Sequence, residues 1–243
     1  MSFLFYFYTD DFYNKPWGVK HWLEYAEPKI QDGVAIALID PDMIIIRPIV
    51  RTIRDLPNLL YNKKKQVGEI QEEISLGSPV AQIYGLGAPW TNDLHTKFNR
   101  TRICGDGSPC LTPEREFGEM HYSVGPPYIM IKQDLLRLTE TWTQFVPRVF
   151  EGYPFLLAEM YAYSMAAAHE NLPHFQMYSY MVSAIDAEDE GWEHIEILDD
   201  VCVPPVDGIY FPGKPLPNVV HYCQTYRTGG IGFTKRDVSM RYP

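Results

Sequence analysis

The stretch that most constrains this chain is residues 34–48. An apolar run, Val34-Ala-Ile-Ala-Leu-Ile39, leads directly into Asp40-Pro41-Asp42, and Met43-Ile-Ile-Ile46 resumes it before Arg47-Pro48. A near-continuous apolar run is the pattern of a strand buried on both faces. Two carboxylates at its end are foreign to a core. In extended chain the side-chain period is two, which aims Asp40 and Asp42 the same way. Like charges that close repel unless a cation sits between them, and a divalent cation held by oxygen ligands meets that need. The competing reading is a strand end followed by an acidic turn, with Pro41 breaking the ladder. In open α/β sheets, ligands gather beyond the carboxyl ends of strands, and this is the one Asp-x-Asp in the chain.

The surrounding pattern predicts an α/β sandwich. Residues 3–8 read as a strand. Asn14-Lys15-Pro16-Trp17 opens a helix whose core face carries Val19, Trp22, Leu23 and Ala26. A short helix is expected around residues 53–61, followed by a solvated Lys63-Lys64-Lys65 turn. A short strand is expected near 80–84, and a polar, aperiodic excursion over 93–122. Residues 124–131 form a strand entered through Gly125-Pro126-Pro127. Asp134 stands where a helix N-cap belongs, ahead of a helix carrying Leu135, Leu138, Trp142, Phe145 and Val149. Residues 154–170 are the strongest helix, 186–196 an exposed acidic segment, 204–217 a Pro-rich extended one, and 219–223 a strand. No repeat, low-complexity tract or linker interrupts the chain, so residues 1–243 are expected to form a single domain.

Hydrophobic residues are 46% and charged residues 21%, enough for a packed core. The net charge of -10 argues against general affinity for nucleic acid or anionic membrane. There is no apolar stretch long enough to span a bilayer. Cys104 and Cys110 bracket a Gly-rich loop that a disulfide would close, and free thiols are the equal alternative. Asn99-Arg100-Thr101 is a glycosylation sequon that acts only on the secretory route.

A metal at Asp40 and Asp42 needs a third ligand, and His221, emerging from a strand end, is the best candidate among 7 histidines. Its ordinary role is a hydrogen bond at a strand terminus. Gly229, Gly230 and Gly232 with Lys235 and Arg236 would let backbone and cations approach a diphosphate; a plain C-terminal turn is the simpler reading. Lys15 is a second diphosphate candidate, or else a solvated helix-start lysine. Glu159, in an apolar helix, would serve the sugar or the acceptor as a half-buried carboxylate, or else form a structural ion pair. Together these residues point to Mn²⁺ or Mg²⁺ binding a nucleoside diphosphate sugar.

Asn14-Lys15-Pro16, Asp40-Pro41-Asp42 with Arg47-Pro48, Val124-Gly125-Pro126-Pro127, Glu159-Met160-Tyr161-Ala162-Tyr163, His221-Tyr222 and the ending Gly229-Gly230-Ile231-Gly232-Phe233-Thr234-Lys235-Arg236 resemble the hydroxyproline O-arabinosyltransferase-like family and the related peptidyl serine α-galactosyltransferases. The resemblance implies a GT-A-like α/β/α sandwich around a mixed, mostly parallel central sheet. It implies a retaining glycosyltransferase that moves arabinofuranose or galactose from a UDP-sugar to a hydroxyproline or serine of a protein acceptor in the Golgi lumen. It makes Asp40 and Asp42 the metal and nucleotide-sugar motif, His221 the third metal ligand and Lys235 a diphosphate contact; Glu159, from its place in the apolar helix, is the catalytic carboxylate expected on the sugar or acceptor side. Where the arabinosyltransferases often carry Glu and, after the second acid, His, this chain has Asp40 and Met43. Only thirteen residues precede Asn14, where the family carries a base-binding strand and loop, so the chain is expected to be N-terminally shortened. The alternative function is a non-catalytic relative that binds glycan or a partner protein. A metal-dependent hydrolase using the same aspartates is a third reading.

Overall fold

The computed structural model describes residues 14–52, 73–84, 86, 88–91, 98–177, 179–184, 190–196, 216–223, 226–228 and 231–233. The elements run α1 (Asn14–Tyr25), β1 (Ala35–Leu38), β2 (Met43–Ile45), β3 (Val80–Ile83), α2 (Arg100–Cys104), α3 (Arg115–His121), β4 (Val124–Ile131), α4 (Lys132–Gly152), α5 (Ala158–His169), β5 (Phe175–Met177), β6 (Met181–Val182), α6 (Trp192–Glu196), β7 (Val219–His221), β8 (Tyr226–Thr228) and β9 (Ile231–Phe233). Three sheets result, ordered β1-β4-β3-β5, β2-β7-β6 and β8-β9. The α/β class holds, and the sheets are mixed. They are not mostly parallel: β3–β5 and β6–β7 pair parallel, and the other described pairs are antiparallel.

Strand β4 is the one that reads as a two-faced core strand, with all eight residues buried. Its alternation divides the core by side-chain period. Tyr128 and Met130 pack with Leu135, Leu138, Trp142 and Phe145 of α4 and with α5. Ile129 and Ile131 pack on the other face with Ile74, Val80, Met177 and Tyr180. Beyond hydrophobic packing, the Trp142 indole N–H donates to the Glu159 carbonyl at 3.0 Å, joining α4 to the start of α5. Gln82 joins two sheets: its side-chain oxygen accepts from the Met181 N–H at 3.0 Å.

Several expectations are corrected. The run at 34–39 is not buried on both faces. It yields β1, at the edge of its sheet and paired with β4 alone among the described residues, with Ala37 exposed and its neighbours half-buried. Length and hydrophobicity did not distinguish an edge from a centre. Trp22 is 47% exposed, while Pro16 and Leu23 form the buried side of α1. Asp134 is not an N-cap. It lies inside α4, fully buried, and accepts from the Gly77 N–H at 2.7 Å and from Arg137 at 2.8 Å, so it fastens the 75–78 turn to the helix. The described part of 93–122 is no polar excursion. Cys104 and Cys110 are disulfide-bonded there, and Phe98, Ile103 and Tyr122 enter the core. The 154–170 helix begins only at Ala158. In the acidic 186–196 segment, Glu190 is buried and accepts from the Ser183 N–H and hydroxyl. The expectations for 3–8, 53–61, 63–65 and most of 204–217 fall outside the described residues.

His174 follows α5 and is fully buried. Its Nε2 lies 2.8 Å from the Tyr163 hydroxyl. Burial pushes its pKa down to about 3, with the charge of His121 acting the same way against a backbone hydrogen bond at Leu172. The folded histidine therefore stays neutral where the unfolded chain takes up a proton. Stability that is full above pH 6.5 is then lost as pH falls toward about 3. Urea unfolding across pH 7 to 4 is expected to show this loss. His174→Gln, which keeps an acceptor for Tyr163 but does not titrate, is expected to flatten part of the slope.

Candidate functional site

The Asp40 carbonyl accepts from the Met43 N–H at 3.0 Å, closing a tight turn between β1 and β2 with Pro41 at its second position. Proline pre-sets the backbone angle that such a position needs. The two aspartates therefore converge because a turn folds them together, not because they share one face of an extended strand. Strand β2 pairs with β7 so that Met43 lies opposite His221, and the Tyr222 N–H donates to the Asp42 carbonyl at 2.9 Å. This register brings residues 179 positions apart into one site. His221 Nε2 is 3.2 Å from Asp42 Oδ1 and 3.8 Å from Asp40 Oδ2. One ligand atom from each of Asp40, Asp42 and His221 lies within 4.8 Å of the others.

The imidazole is held from behind. His221 Nδ1 lies 3.2 Å from the Met181 sulfur. A thioether only accepts, so this contact lets Nδ1 carry the proton whenever a cation between the aspartates takes Nε2; with no cation there, Nε2–H is the group that would donate to Asp42. Two carboxylates and one imidazole make a mixed oxygen–nitrogen donor set, suited to Mn²⁺ and acceptable to Mg²⁺.

Lys15, second residue of α1, extends the site inward. Its ammonium is 2.7 Å from Asp40 Oδ1 and 3.2 Å from Glu159 Oε2. Burial works to lower its pKa, but the charges of Glu159 and Asp40 outweigh burial and hold it above the ordinary lysine value. Lys15 takes one oxygen of Asp40 and leaves the other on the histidine side. Glu159 stands in the first turn of α5, where the helix dipole favours a negative charge. Burial nevertheless raises its pKa; Lys15 opposes that rise, and the negative charge of Asp40 adds to it. Its Oε1 is buried and has no hydrogen-bond partner among the described residues.

Two tyrosines complete the surroundings, and short motifs did not reveal them. Tyr84 has its pKa pushed up to about 12 by burial and then by the charges of Cys223, Asp40 and Glu190, against Lys15. Its ring lies against Gly125, where a Cβ would stand 2.5 Å from it, so glycine is required there. Tyr128 is buried and stacks on Tyr163, ring centroids 3.8 Å apart. Of the expected site residues, Asp40, Asp42, His221, Lys15 and Glu159 come together. Lys15 meets carboxylates rather than open space. Lys235 and Arg236 lie outside the described residues.

With this geometry in place, comparison with known proteins becomes informative. The chain is 28% identical to peptidyl serine alpha-galactosyltransferase of Arabidopsis thaliana, across 94% of this chain. The chain is similar to a glycosyltransferase. It spans 23% of that relative's length. No family model matches the chain, and no solved structure matches it. The match agrees with the family resemblance drawn from the motifs.

If the three ligand atoms act together, Mn²⁺ at 100 times its dissociation constant stabilises the fold by about 2.7 kcal/mol. Thermal unfolding with and without Mn²⁺ checks this. Asp42→Ala and His221→Ala are each expected to abolish the metal-dependent shift without lowering the metal-free melting temperature by a comparable amount.

Proposed function

We propose that this chain forms the catalytic part of a metal-dependent, GT-A-like glycosyltransferase that moves galactose or arabinofuranose from a UDP-sugar to a serine or hydroxyproline of a protein acceptor. The observation that carries the reading is the convergence of His221 on Asp40 and Asp42 from the far end of the chain. The similarity to peptidyl serine alpha-galactosyltransferase supports it.

Asp40, Asp42 and His221 would hold Mn²⁺ or Mg²⁺, which as a Lewis acid would stabilise charge developing on the departing diphosphate. The residues divide the remaining work. Met181 would accept from the His221 Nδ1–H and leave Nε2 to the cation. Lys15 fixes Asp40 through one oxygen and links it to Glu159. Lys15, expected from the sequence to contact the diphosphate, would instead hold Asp40 and Glu159 in place, its charge shared between them. Glu159 would accept from a hydroxyl of the sugar or acceptor. Lys235 and Arg236 are proposed for the diphosphate on their sequence context. Retention of anomeric configuration and a Golgi-lumen location are proposed on the resemblance. No helix among the described residues is long and apolar enough to cross a membrane.

The test is transfer to synthetic serine- and hydroxyproline-containing peptides with UDP-galactose or UDP-arabinofuranose and Mn²⁺, followed by mass spectrometry. Glycosylated peptide is expected with Mn²⁺ and not with a chelator, and Asp42→Ala is expected to reduce the rate on the order of a hundredfold or more. Neither transfer nor metal-dependent UDP binding would overturn the reading. Release of free sugar without acceptor would replace it with a hydrolase.

A further inference from the structure

The buried side of the site contains two polar atoms that have no hydrogen-bond partner among the described residues, Glu159 Oε1 and the Tyr128 hydroxyl oxygen. Each such group costs roughly 1–3 kcal/mol when left unsatisfied, and buried polar groups without partners are rare enough to need a reason. They border one region. Glu159 and Tyr163 are four residues apart on α5 and so share a face, and Tyr128 stacks on Tyr163. The Tyr163 hydroxyl is already committed to His174. Burial raises the pKa of Tyr128, and the charge of Glu159 is the next largest cause, so carboxylate and phenol sense one another. The other oxygen of Glu159 is held by Lys15, which is itself bonded to Asp40, so Glu159 is one lysine away from the candidate metal ligands.

We propose that Glu159 Oε1 and the Tyr128 hydroxyl are the floor of a sugar subsite and take one hydroxyl of the donor sugar between them. A carboxylate only accepts and a phenol can donate, so a single sugar hydroxyl, donating to Glu159 and accepting from Tyr128, satisfies both. A deoxy sugar leaves both unpaired and is rejected, which makes the pair a specificity determinant. The inference rests on the glycosyltransferase reading and adds the residues that recognise the sugar.

Calorimetry on the full chain with Mn²⁺ separates the two. UDP, UDP-galactose and UDP-arabinofuranose are titrated into wild type, Tyr128→Phe and Glu159→Gln. The expected result is that one UDP-sugar binds more tightly than UDP to wild type. Tyr128→Phe should leave UDP affinity unchanged and reduce the sugar's increment about tenfold or more. Tyr128→Phe removes only an unpartnered oxygen, so its melting temperature is expected to stay level or rise, which separates a binding role from a structural one. Unchanged sugar increments in both variants, with metal-dependent UDP binding intact, would overturn the subsite and leave the glycosyltransferase reading standing. Absence of UDP binding to wild type would overturn both.

Discussion

The Lys15 ammonium, 2.7 Å from Asp40 and 3.2 Å from Glu159, is the interaction on which the rest of the site depends. It ties three distant pieces of chain: the first turn of α1, the turn between β1 and β2, and the first turn of α5. Without it two carboxylates would face each other with little water between them, and like charges in partly buried surroundings strongly disfavour joint ionisation. With it, each acid keeps one oxygen fixed and one directed elsewhere. Asp40 turns its second oxygen toward His221, and Glu159 turns its second oxygen inward. Lysine thus converts two repelling groups into a candidate metal ligand and a buried acceptor.

The same constraint explains why the site lies where the sheets meet. Strand β1 belongs to one sheet and β2 to another, and the Asp40-Pro41-Asp42 turn is the crossing between them. The second sheet contributes His221 from β7 and Met181 from β6, adjacent strands whose register is fixed by backbone pairing. The first contributes Tyr128 from β4, locked between β1 and β3. Gln82 bridges the two sheets through the N–H of Met181, the residue whose sulfur backs the histidine. His221 is therefore set by strand pairing, and Asp40 and Asp42 by a tight turn held between two paired strands.

Much of this was legible in the chain because the evidence was local. The aspartate pair ended an apolar run, the Ile-rich end of β4 read as a strand although Gly125-Pro126-Pro127 proved to be part of that strand and not a turn before it, and α4 carried Leu135, Leu138, Trp142, Phe145 and Val149 at helical spacing. His221 is legible as a third ligand because it emerges from a strand end, and Glu159 as a half-buried carboxylate because it stands in an apolar helix. What the sequence left hidden depended on long-range contacts. Hydrophobicity cannot tell an edge strand from a central one, so β1 was taken for a core strand that β4 in fact supplies. Asp134 has the composition of a cap, but the Gly77 N–H made it a tertiary pin. Tyr84 and Tyr128 carry no local signal; only packing against Gly125 and Tyr163 brings them to the site.

The central claim is that residues 40, 42 and 221 bind one cation together, with the histidine nitrogen directly on it. Pulsed electron paramagnetic resonance of the Mn²⁺-loaded protein reads that bond. The account predicts nitrogen modulation from a single coordinated imidazole, retained in Lys15→Met and lost in His221→Gln. Mn²⁺ bound with no imidazole nitrogen, or nitrogen coupling that survives His221→Gln, would contradict it.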